Sequence, residues 1–327
     1  MEIDFPFDES ICFQSSDDCL HSFESAADWT ETLWFSFHVP ERDWAGWLYA
    51  QVRPNIGTVT GGAFVYGPGF TGPWEQPYYG WFSHHPVPEP LDLTDVQFKS
   101  GFSLRCLEPG MRYALGYQFR DMKDFVADLE FEGLVPPVPH VQGAPPFIGS
   151  THYDQPGRLR GTIEVDGERV DVDCVSVRDR SWGRRPERIG RSTRLSYAFG
   201  SCTPNDAFLA FCVPPKDAPL SEEETLTSGF LFRDGVLRRL QSARRRVTRD
   251  PAHGGVSTIE IEAEDTDGRA LHALGRARSC LFLPSNSLCI NTFLRWEIDG
   301  QEGWGEDQDV WSMAHFYDLR RQGEGSV

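Results

Sequence analysis

Residues 161–183 read GTIEVDGERVDVDCVSVRDRSWG, and this stretch decides the fold class. Apolar and polar residues alternate on both sides of Asp166-Gly167, as they do in strands that bury one face. Asp-Gly is the dipeptide that a tight two-residue hairpin turn prefers, because both turn residues adopt positive φ. The stretch therefore predicts two antiparallel strands joined by a hairpin turn.

The same signals recur later in the chain. Asp-Gly is found again at 234–235, 267–268 and 299–300, each time between two short runs with strand character. The 31 glycines and 23 prolines interrupt long helices nearly everywhere. We therefore predict an all-β protein of two antiparallel β-barrel or sandwich domains.

A proline-rich segment indicates where the two domains meet. Residues 134–146 hold five prolines and little periodicity, a composition that suits a semi-rigid connector. We place an N-terminal β-domain at residues 1–140 and a C-terminal β-domain at residues 141–327, so the second domain would carry the hairpin. Only residues 22–29 and 221–225 are expected to be helical, and 308–315 is expected to be a strand.

An arginine-rich run lies in the second half of the chain. Positions 238–249 hold six arginines in twelve residues. One interpretation is a solvated strand or turn edge, where charge blocks unwanted pairing between sheets. The other, less favoured in so acidic a chain, is a dedicated site for an anion.

Composition argues against several classes of function. The net charge of −18 and the pI near 4.9 oppose binding to nucleic acid or to anionic membrane surfaces. The eight cysteines are scattered, without a Cys-x-x-Cys pair or a zinc-type spacing, so we expect free thiols and no metal site. Phosphate-binding glycine loops, Gly-x-Ser-x-Gly and His-Glu-x-x-His are also absent, and we expect no cofactor.

The sequence also predicts where the protein is located in the cell. The first ten residues, MEIDFPFDES, lack the basic start and apolar run of a secretory signal. The sequence contains no stretch of about 18 apolar residues that could cross a membrane. We therefore expect a cytoplasmic protein without membrane insertion, whose oligomeric state the sequence leaves open.

Asp179 is the first candidate for chemistry. Strand alternation places it on the same apolar face as Val175 and Val177, where a carboxyl group would be buried and would need partners. Burial would raise its pKa, so that it could hold a proton near neutrality. Alternatively, a nearby guanidinium could keep it ionised as a structural ion pair, the candidates being Arg178, Arg180, Arg184 and Arg185.

His152 and Tyr153 are the second candidates. They lie before a strand that pairs through the hairpin with the strand leading to Asp179, so these groups could lie near one end of one sheet. His152 would be the partner of Asp179, or the catalytic group in its place if an arginine keeps Asp179 ionised. Tyr153 would relay a proton or position a water. A purely structural role for the histidine also stays open.

The N-terminal half is rich in aromatic residues, which suits either a walled apolar cavity or an ordinary core. Alternation puts Trp34 and His38 on one face of their strand.

Residues 67–81, GPGFTGPWEQPYYGW, do not form a regular strand, so this loop should plug a barrel end or close over a hydrophobic ligand. The expected substrate-binding side chains are Trp34, His38, Tyr66, Trp81, Arg180 and Trp182.

Several motifs resemble a known group of proteins. They are HYDQPGRLRG at 152–161, RDRSWGRRP at 178–186, PNIG at 54–57 and GGAFVYG at 61–67. From about residue 30 to residue 315 the chain resembles the lipocalin-like group that contains carotenoid hydratases, tocopherol cyclases and fungal decalin-forming Diels–Alderases, and in particular its uncharacterised bacterial members. The resemblance implies two lipocalin-like β-barrel domains, a hydrophobic cavity, and chemistry on isoprenoid or polyketide-derived molecules without a redox cofactor or metal.

Two hypotheses follow. The first is a hydratase, cyclase or isomerase that protonates a hydrophobic isoprenoid, steroid-like or polyketide substrate, with Asp179 as the acid and aromatic rings to stabilise the cation. The second is a non-catalytic carrier of a hydrophobic small molecule, in which the Asp179 motif only closes the barrel.

Overall fold

The computed structural model describes residues 11–22, 25–69, 71–120, 122–140, 147, 149–186, 194–285 and 287–324. The strands up to the hairpin are Trp29–Val39 (β1), Trp44–Arg53 (β2), Thr58–Tyr66 (β3), Tyr78–Pro86 (β4), Asp95–Gln97 (β5), Phe102–Glu108 (β6), Arg112–Arg120 (β7), Asp124–Gly133 (β8), Val138–Pro139 (β9), Ser150–Val165 (β10) and Glu168–Arg184 (β11). Those after it are Leu195–Thr203 (β12), Asp206–Val213 (β13), Glu223–Arg233 (β14), Val236–Arg249 (β15), Val256–Asp265 (β16), Ala270–Pro284 (β17), Leu288–Ile298 (β18) and Gln301–Trp311 (β19).

Helix is confined to short elements and the end of the chain. One α-helix, Met313–Glu324 (α1), follows β19. Short 3-10 helices span Ser15–Asp18, Pro40–Arg42, Pro54–Ile56 and Pro73–Glu75. Within the described ranges, no helix is long and apolar enough to cross a membrane. The expected all-β class is confirmed.

The first sheet contains eleven strands and curls back on itself. Its order is β4-β3-β2-β1-β11-β10-β8-β7-β6-β5, with β9 paired to β10. The curl brings β4 against the β7–β8 pair, where the hydroxyls of Tyr78 and Tyr117 lie 3.0 Å apart. The ring of Tyr78 also stacks on Phe125, with centroids 4.8 Å apart. An apolar core therefore fills the concave side of this sheet.

The second sheet is a closed barrel. Its strands β12 to β19 pair in chain order, and β19 returns to pair with β12, so no edge strand remains. Its interior packs Phe208 against Trp296 at 5.3 Å between ring centroids, within a buried apolar cluster. The antiparallel meander expected from the repeated Asp-Gly turns is confirmed.

The hairpin quoted at the outset forms as expected. Asp166 and Gly167 have φ of 49° and 82°, the left-handed pair that the turn requires, and Val165 pairs with Glu168. From this turn β10 and β11 run together as far as Gly183, which places Asp154 directly opposite Asp179.

The sheets divide the chain at a different place from the expected boundary. Strands β10 and β11, which follow the proline-rich segment, belong to the first sheet because β11 pairs with β1 and β10 pairs with β8. The change between sheets lies between β11 and β12, not at residues 140 and 141. Residues 141–146 of the expected connector lie outside the described residues.

The expected helices are not observed. Residues 25–28 precede β1 without helix, residues 23 and 24 lie outside the described ranges, and 223–225 belong to β14. The predicted strand at 308–315 ends at Trp311, and α1 begins at Met313. Pairing of β14 with β13 and β15 overrides the local helical preference there.

The arginine-rich run is not an edge. It lies in β15, which pairs with β14 on one side and β16 on the other. Arg244 and Arg246 point outward and pair with glutamates, whereas Arg245 is fully buried inside the barrel. Alternation along one strand therefore gives neighbouring arginines opposite environments.

Candidate functional site

The two sheets pack against each other through buried aromatic side chains, here called the aromatic layer. Trp34 lies in its middle, with ring centroids 5.2 Å from Trp47 and 5.8 Å from Tyr197, both edge to face. The layer is contributed by both sheets, and its main members are Trp34, Trp47, Phe64, Tyr66, Tyr197, Phe199, Phe211 and Phe293.

One row of side chains crosses four neighbouring strands on the face toward the barrel. Asp154 on β10 is opposite Asp179 on β11, Asp179 is opposite Trp34 on β1, and Trp34 is opposite Tyr49 on β2. Directly opposed residues of antiparallel strands project to the same side of the sheet. Two carboxyl groups and two aromatic rings therefore lie side by side.

Asp154 is the more deeply buried of the two acids. The hydroxyl of Tyr197, from the barrel, donates to its Oδ1 at 3.1 Å, and His152 Nε2 lies 3.2 Å from its Oδ2. Burial raises the pKa of Asp154 to about 7, although His140 and the hydrogen bond from Tyr197 partly oppose the rise. Asp154 therefore holds a proton in an appreciable part of the molecules at neutral pH.

Asp179 is partly exposed, and its hydrogen bonding is weaker than that of Asp154. Thr32 Oγ1 donates to its Oδ1 at 3.5 Å. Burial raises its pKa to about 6, His152 lowers it, and the charge of Asp154 raises it. Ionisation of Asp154 therefore makes ionisation of Asp179 less favourable.

The flanking arginines do not hold Asp179. Arg178 and Arg180 project to the opposite face of β11, where Arg178 donates to Gln155 Oε1 at 2.6 Å and Arg180 pairs with Glu31 at 2.5 Å. The interpretation of Asp179 as an acid clamped by these arginines is therefore wrong.

The two remaining arginines considered for that role also have other partners. Arg184 pairs with Asp28 at 3.0 Å, and Arg185 donates to Ser181 Oγ at 2.9 Å. The charge of Arg185 lowers the pKa of Asp179, but by less than burial raises it.

Three expected site residues lie away from Asp179. Tyr153, Arg180 and Trp182 share the face of the sheet opposite to Asp154 and Asp179, because they alternate with the site residues along β10 and β11. Tyr153 donates its hydroxyl to Ile11 O at 3.2 Å, and Trp182 stacks on His21 at 3.8 Å. The structure thus gives them contacts with the N-terminal segment instead of a place beside the carboxyl pair.

His152 does lie beside the carboxyl pair, as expected. Its ring stacks on Phe147 with centroids 3.8 Å apart and lies 5.8 Å from Phe211 of the barrel. Burial lowers the pKa of His152 to about 4, while the charge of Asp179 opposes this. At neutral pH these shifts favour a neutral imidazole at His152, beside a carboxyl group of Asp154 that is protonated in part of the molecules.

Trp34, Tyr66 and Trp81 all pack in or against the aromatic layer. Trp81 stacks on Tyr49 with centroids 5.5 Å apart, and both rings are partly exposed. His38 is buried, with its ring 5.3 Å from Phe293, and burial lowers its pKa to about 3. Tyr49 pairs with Trp34, the neighbour of Asp179, so the partly exposed rings lie on the same face of the sheet as the carboxyl pair.

Of residues 67–81, which were expected to form no regular strand, residues 78–81 belong to β4. A loop precedes that strand. The carbonyl of Thr71 accepts from the amide of Phe282 at 2.8 Å, which ties the loop to the barrel. A cleft of about 440 Å³ opens beside it, lined by Trp74, Tyr79, Trp81 and Phe119 of β7, among others. Trp74 itself is 83% exposed, so this ring does not plug a barrel end.

Sequence reasoning missed three polar residues of the aromatic layer and its border, namely Asp154, Tyr197 and Glu306. Asp154 stands two residues from His152, so alternation alone places both on one face. Tyr197 and Glu306 come from barrel strands whose outer faces are buried only because the first sheet packs on them. No local pattern reveals that burial.

Among the residues that the structure describes, one group of side chains could hold a metal ion, and it lies on the barrel, away from the carboxyl pair. Glu260, Glu262 and His272 offer ligand atoms within 4.8 Å of one another on β16 and β17. Both carboxylates already form salt bridges with Arg246, at 3.0 and 3.9 Å. The arrangement suits an ion-pair network on the barrel surface.

Comparisons with known proteins identify the family and the fold. A family model described as a domain of unknown function (DUF7064) matches residues 14–307. Curated proteins give no match. The structure of an AttH-like protein from Nitrosomonas europaea is similar, with a TM-score of 0.51, 13% identity, and coverage of 86% of this chain and 91% of that chain.

A second similar structure is kievitone hydratase from Nectria haematococca. Its TM-score is 0.51 at 11% identity, and the match covers 86% of this chain and 89% of that chain. At identities this low, the structural similarity shows a common fold and no more. That fold agrees with the lipocalin-like architecture that the sequence motifs indicated.

Proposed function

The chain belongs to the family described as a domain of unknown function (DUF7064), and from that premise we propose that it is a hydratase, cyclase or isomerase acting on a hydrophobic substrate. The observation that supports this most is the pair of opposed carboxyl groups, Asp154 and Asp179, at the border of the aromatic layer. An isoprenoid, steroid-like or polyketide molecule is the substrate class that such a layer suits.

The proposed chemistry starts with proton transfer. Asp179, the more accessible acid, donates its proton to an alkene carbon of the substrate, which leaves a carbocation on the neighbouring carbon. The faces of Trp34 and Tyr49 stabilise that cation. Addition of water and loss of a proton then give hydration, whereas attack by a second double bond and loss of a proton give cyclisation.

Asp154, His152 and Tyr197 support the acid Asp179 without contacting the substrate. The proton released in the last step returns to the carboxyl pair, which the low polarity of the site favours in its protonated form. Tyr197 orients Asp154 by donating to its Oδ1, and the ring of His152 lies beside its Oδ2. The chain's own residues thus supply acid, base and cation stabilisation.

Incubation of the purified protein with candidate oxygenated terpenoids and polyketides, followed by mass spectrometry, tests this function. We expect a product heavier by one water, or an isomer of unchanged mass with a new retention time. Recovery of unaltered ligand in stoichiometric amounts after long incubation would instead indicate a carrier. That outcome would contradict the proposed activity.

The pH dependence of turnover is a further prediction. Because raised carboxyl pKa values favour the protonated pair below about 6 to 7, turnover should fall as pH rises through that range. It should also fall below about pH 4, where His152 gains a proton. The measurement is kcat/KM against pH.

The variant Tyr197→Phe sharpens this test. In the wild type the hydrogen bond from the Tyr197 hydroxyl lowers the pKa of Asp154. Removal of this hydroxyl should therefore move the alkaline limb of the pH profile to higher pH. An alkaline limb that is identical in the wild type and the variant would contradict the assignment of that limb to the carboxyl pair.

A further inference from the structure

A second polar cluster, in addition to the carboxyl pair, lies in the aromatic layer beside the indole nitrogen of Trp47. Glu306, on β19, is 4% exposed, and its Oε2 accepts a hydrogen bond from Trp47 Nε1 at 3.1 Å. The hydroxyl of Ser36 lies beside it but also contacts Ser176 Oγ at 2.5 Å. Glu306 Oε1 has no hydrogen-bond partner within the part of the chain that the structure describes.

Two other buried polar atoms in the layer are unpaired. Tyr66 is 0% and Trp34 is 2% exposed, and neither the Tyr66 hydroxyl nor Trp34 Nε1 has a hydrogen-bond partner among the described residues. Burial, followed by the charge of Glu306, raises the pKa of Tyr66 well above its usual 10. Tyr66 therefore stays protonated and able to donate.

Unpaired buried polar groups are rare and costly, and three in one apolar layer need an explanation. Trp34 can only donate, Tyr66 can donate or accept, and Glu306 can donate when it carries a proton. Burial raises the pKa of Glu306 to about 7, so its protonated form is well populated at neutral pH. Each of the three unpaired atoms, Glu306 Oε1, the Tyr66 hydroxyl and Trp34 Nε1, can form a hydrogen bond with a substrate oxygen, whereas a pure hydrocarbon offers them no partner.

We propose that Glu306, Tyr66 and Trp34 form a subsite that binds a hydroxyl or carbonyl oxygen of an otherwise apolar substrate. This inference rests on the proposed function, since it assigns the substrate class of the same site. The ring of Trp34 contacts Trp47, the partner of Glu306, and also Tyr197, the partner of Asp154. The substrate oxygen would thus be held at one end of the layer and its reacting double bond at Asp179.

Binding of a matched pair of probes tests the proposal directly. Farnesol and farnesene share an apolar chain but differ in the hydroxyl group, and calorimetry gives the dissociation constant of each. We expect the wild type to bind farnesol at least about tenfold more tightly, because a site built for a hydroxyl group rejects the analogue that lacks it. Equal affinity, or failure to bind farnesol, would overturn the inference.

Variants identify the residues responsible. Tyr66→Phe and Glu306→Gln should each reduce the preference for farnesol severalfold and change the affinity for farnesene little. Glu302→Gln, an exposed position on the same strand, is the matched control and should bind like the wild type. A preference that survives in both Tyr66→Phe and Glu306→Gln would also overturn the inference.

Thermal unfolding without ligand gives an independent readout. Tyr66→Phe should not lower the Tm, because its hydroxyl has no partner to lose. Tyr117→Phe removes a buried hydroxyl that is paired with Tyr78 at 3.0 Å, and its Tm should fall by about 2 °C or more. An equal fall in both variants would show that the Tyr66 hydroxyl is already satisfied, contrary to the inference.

These outcomes are separate from those of the proposed function. If the wild type prefers farnesol but converts none of the candidate substrates, the subsite stands and the catalytic proposal fails. If turnover is found but the probe preference is absent, the subsite fails and the catalytic proposal stands.

Discussion

Replacing Asp179 with asparagine is expected to lower turnover by about a hundredfold to ten-thousandfold, the usual contribution of a general acid. Asparagine keeps the size and polarity of the side chain but cannot transfer a proton. Asp179 is the accessible member of the carboxyl pair, and the flanking Arg178 and Arg180 project away from it. The measurement is kcat/KM for the substrate found by mass spectrometry.

Asp171→Asn is the matched control for this experiment. Asp171 lies on the same strand, β11, but is exposed, so its replacement should leave turnover and stability close to those of the wild type. Circular dichroism and the Tm verify that Asp179→Asn remains folded. Turnover of a folded Asp179→Asn protein at the wild-type rate would remove Asp179 from the role of acid.

Replacing Arg245 with methionine is expected to lower the free energy of unfolding by about 3–5 kcal/mol. Arg245 is fully buried inside the barrel, where it pairs with Asp307 at 2.7 Å and with Glu224 at 2.8 Å. Without the guanidinium these two acids would stay buried with an uncompensated charge or would have to take up protons. Chemical denaturation measures the effect.

The neighbouring residue supplies the control. Arg244 is exposed and pairs with Glu262 on the barrel surface, so Arg244→Met should cost less than about 1 kcal/mol. If Arg245→Met were as stable as Arg244→Met, the buried ion pairs would not be what holds this end of the barrel together.

Period-two alternation predicted much of the local structure. It identified the hairpin around Asp166, and it placed Asp179 on the same face as Val177. In the structure Val177 belongs to the aromatic layer. The same rule already separates Arg178 and Arg180 from Asp179, because neighbouring residues of a strand point to opposite sides. Strict application of the pattern would therefore have removed Arg178 and Arg180 from the list of arginines that could clamp Asp179.

Tertiary packing supplied what alternation could not. Residues 306–309, EDQD, resemble a solvated strand, yet Glu306 faces the aromatic layer while Asp307 and Asp309 face the barrel interior. Both faces of this strand are buried only because a second sheet packs outside the barrel. The proline-rich segment does not mark the change between sheets for a related reason, since the pairing of β11 with β1 joins segments far apart in the chain.

The protonation of the carboxyl pair can be measured directly. In protein labelled with ¹³C at the aspartate carboxyl carbons, NMR signals assigned by Asp154→Asn and Asp179→Asn follow the titration of each group. We predict that both carboxyls remain protonated at pH 5 and lose their protons in steps near pH 6 and pH 7. Titration of both groups near pH 4, the ordinary range for aspartate, would contradict the central claim that this site carries a proton at neutral pH.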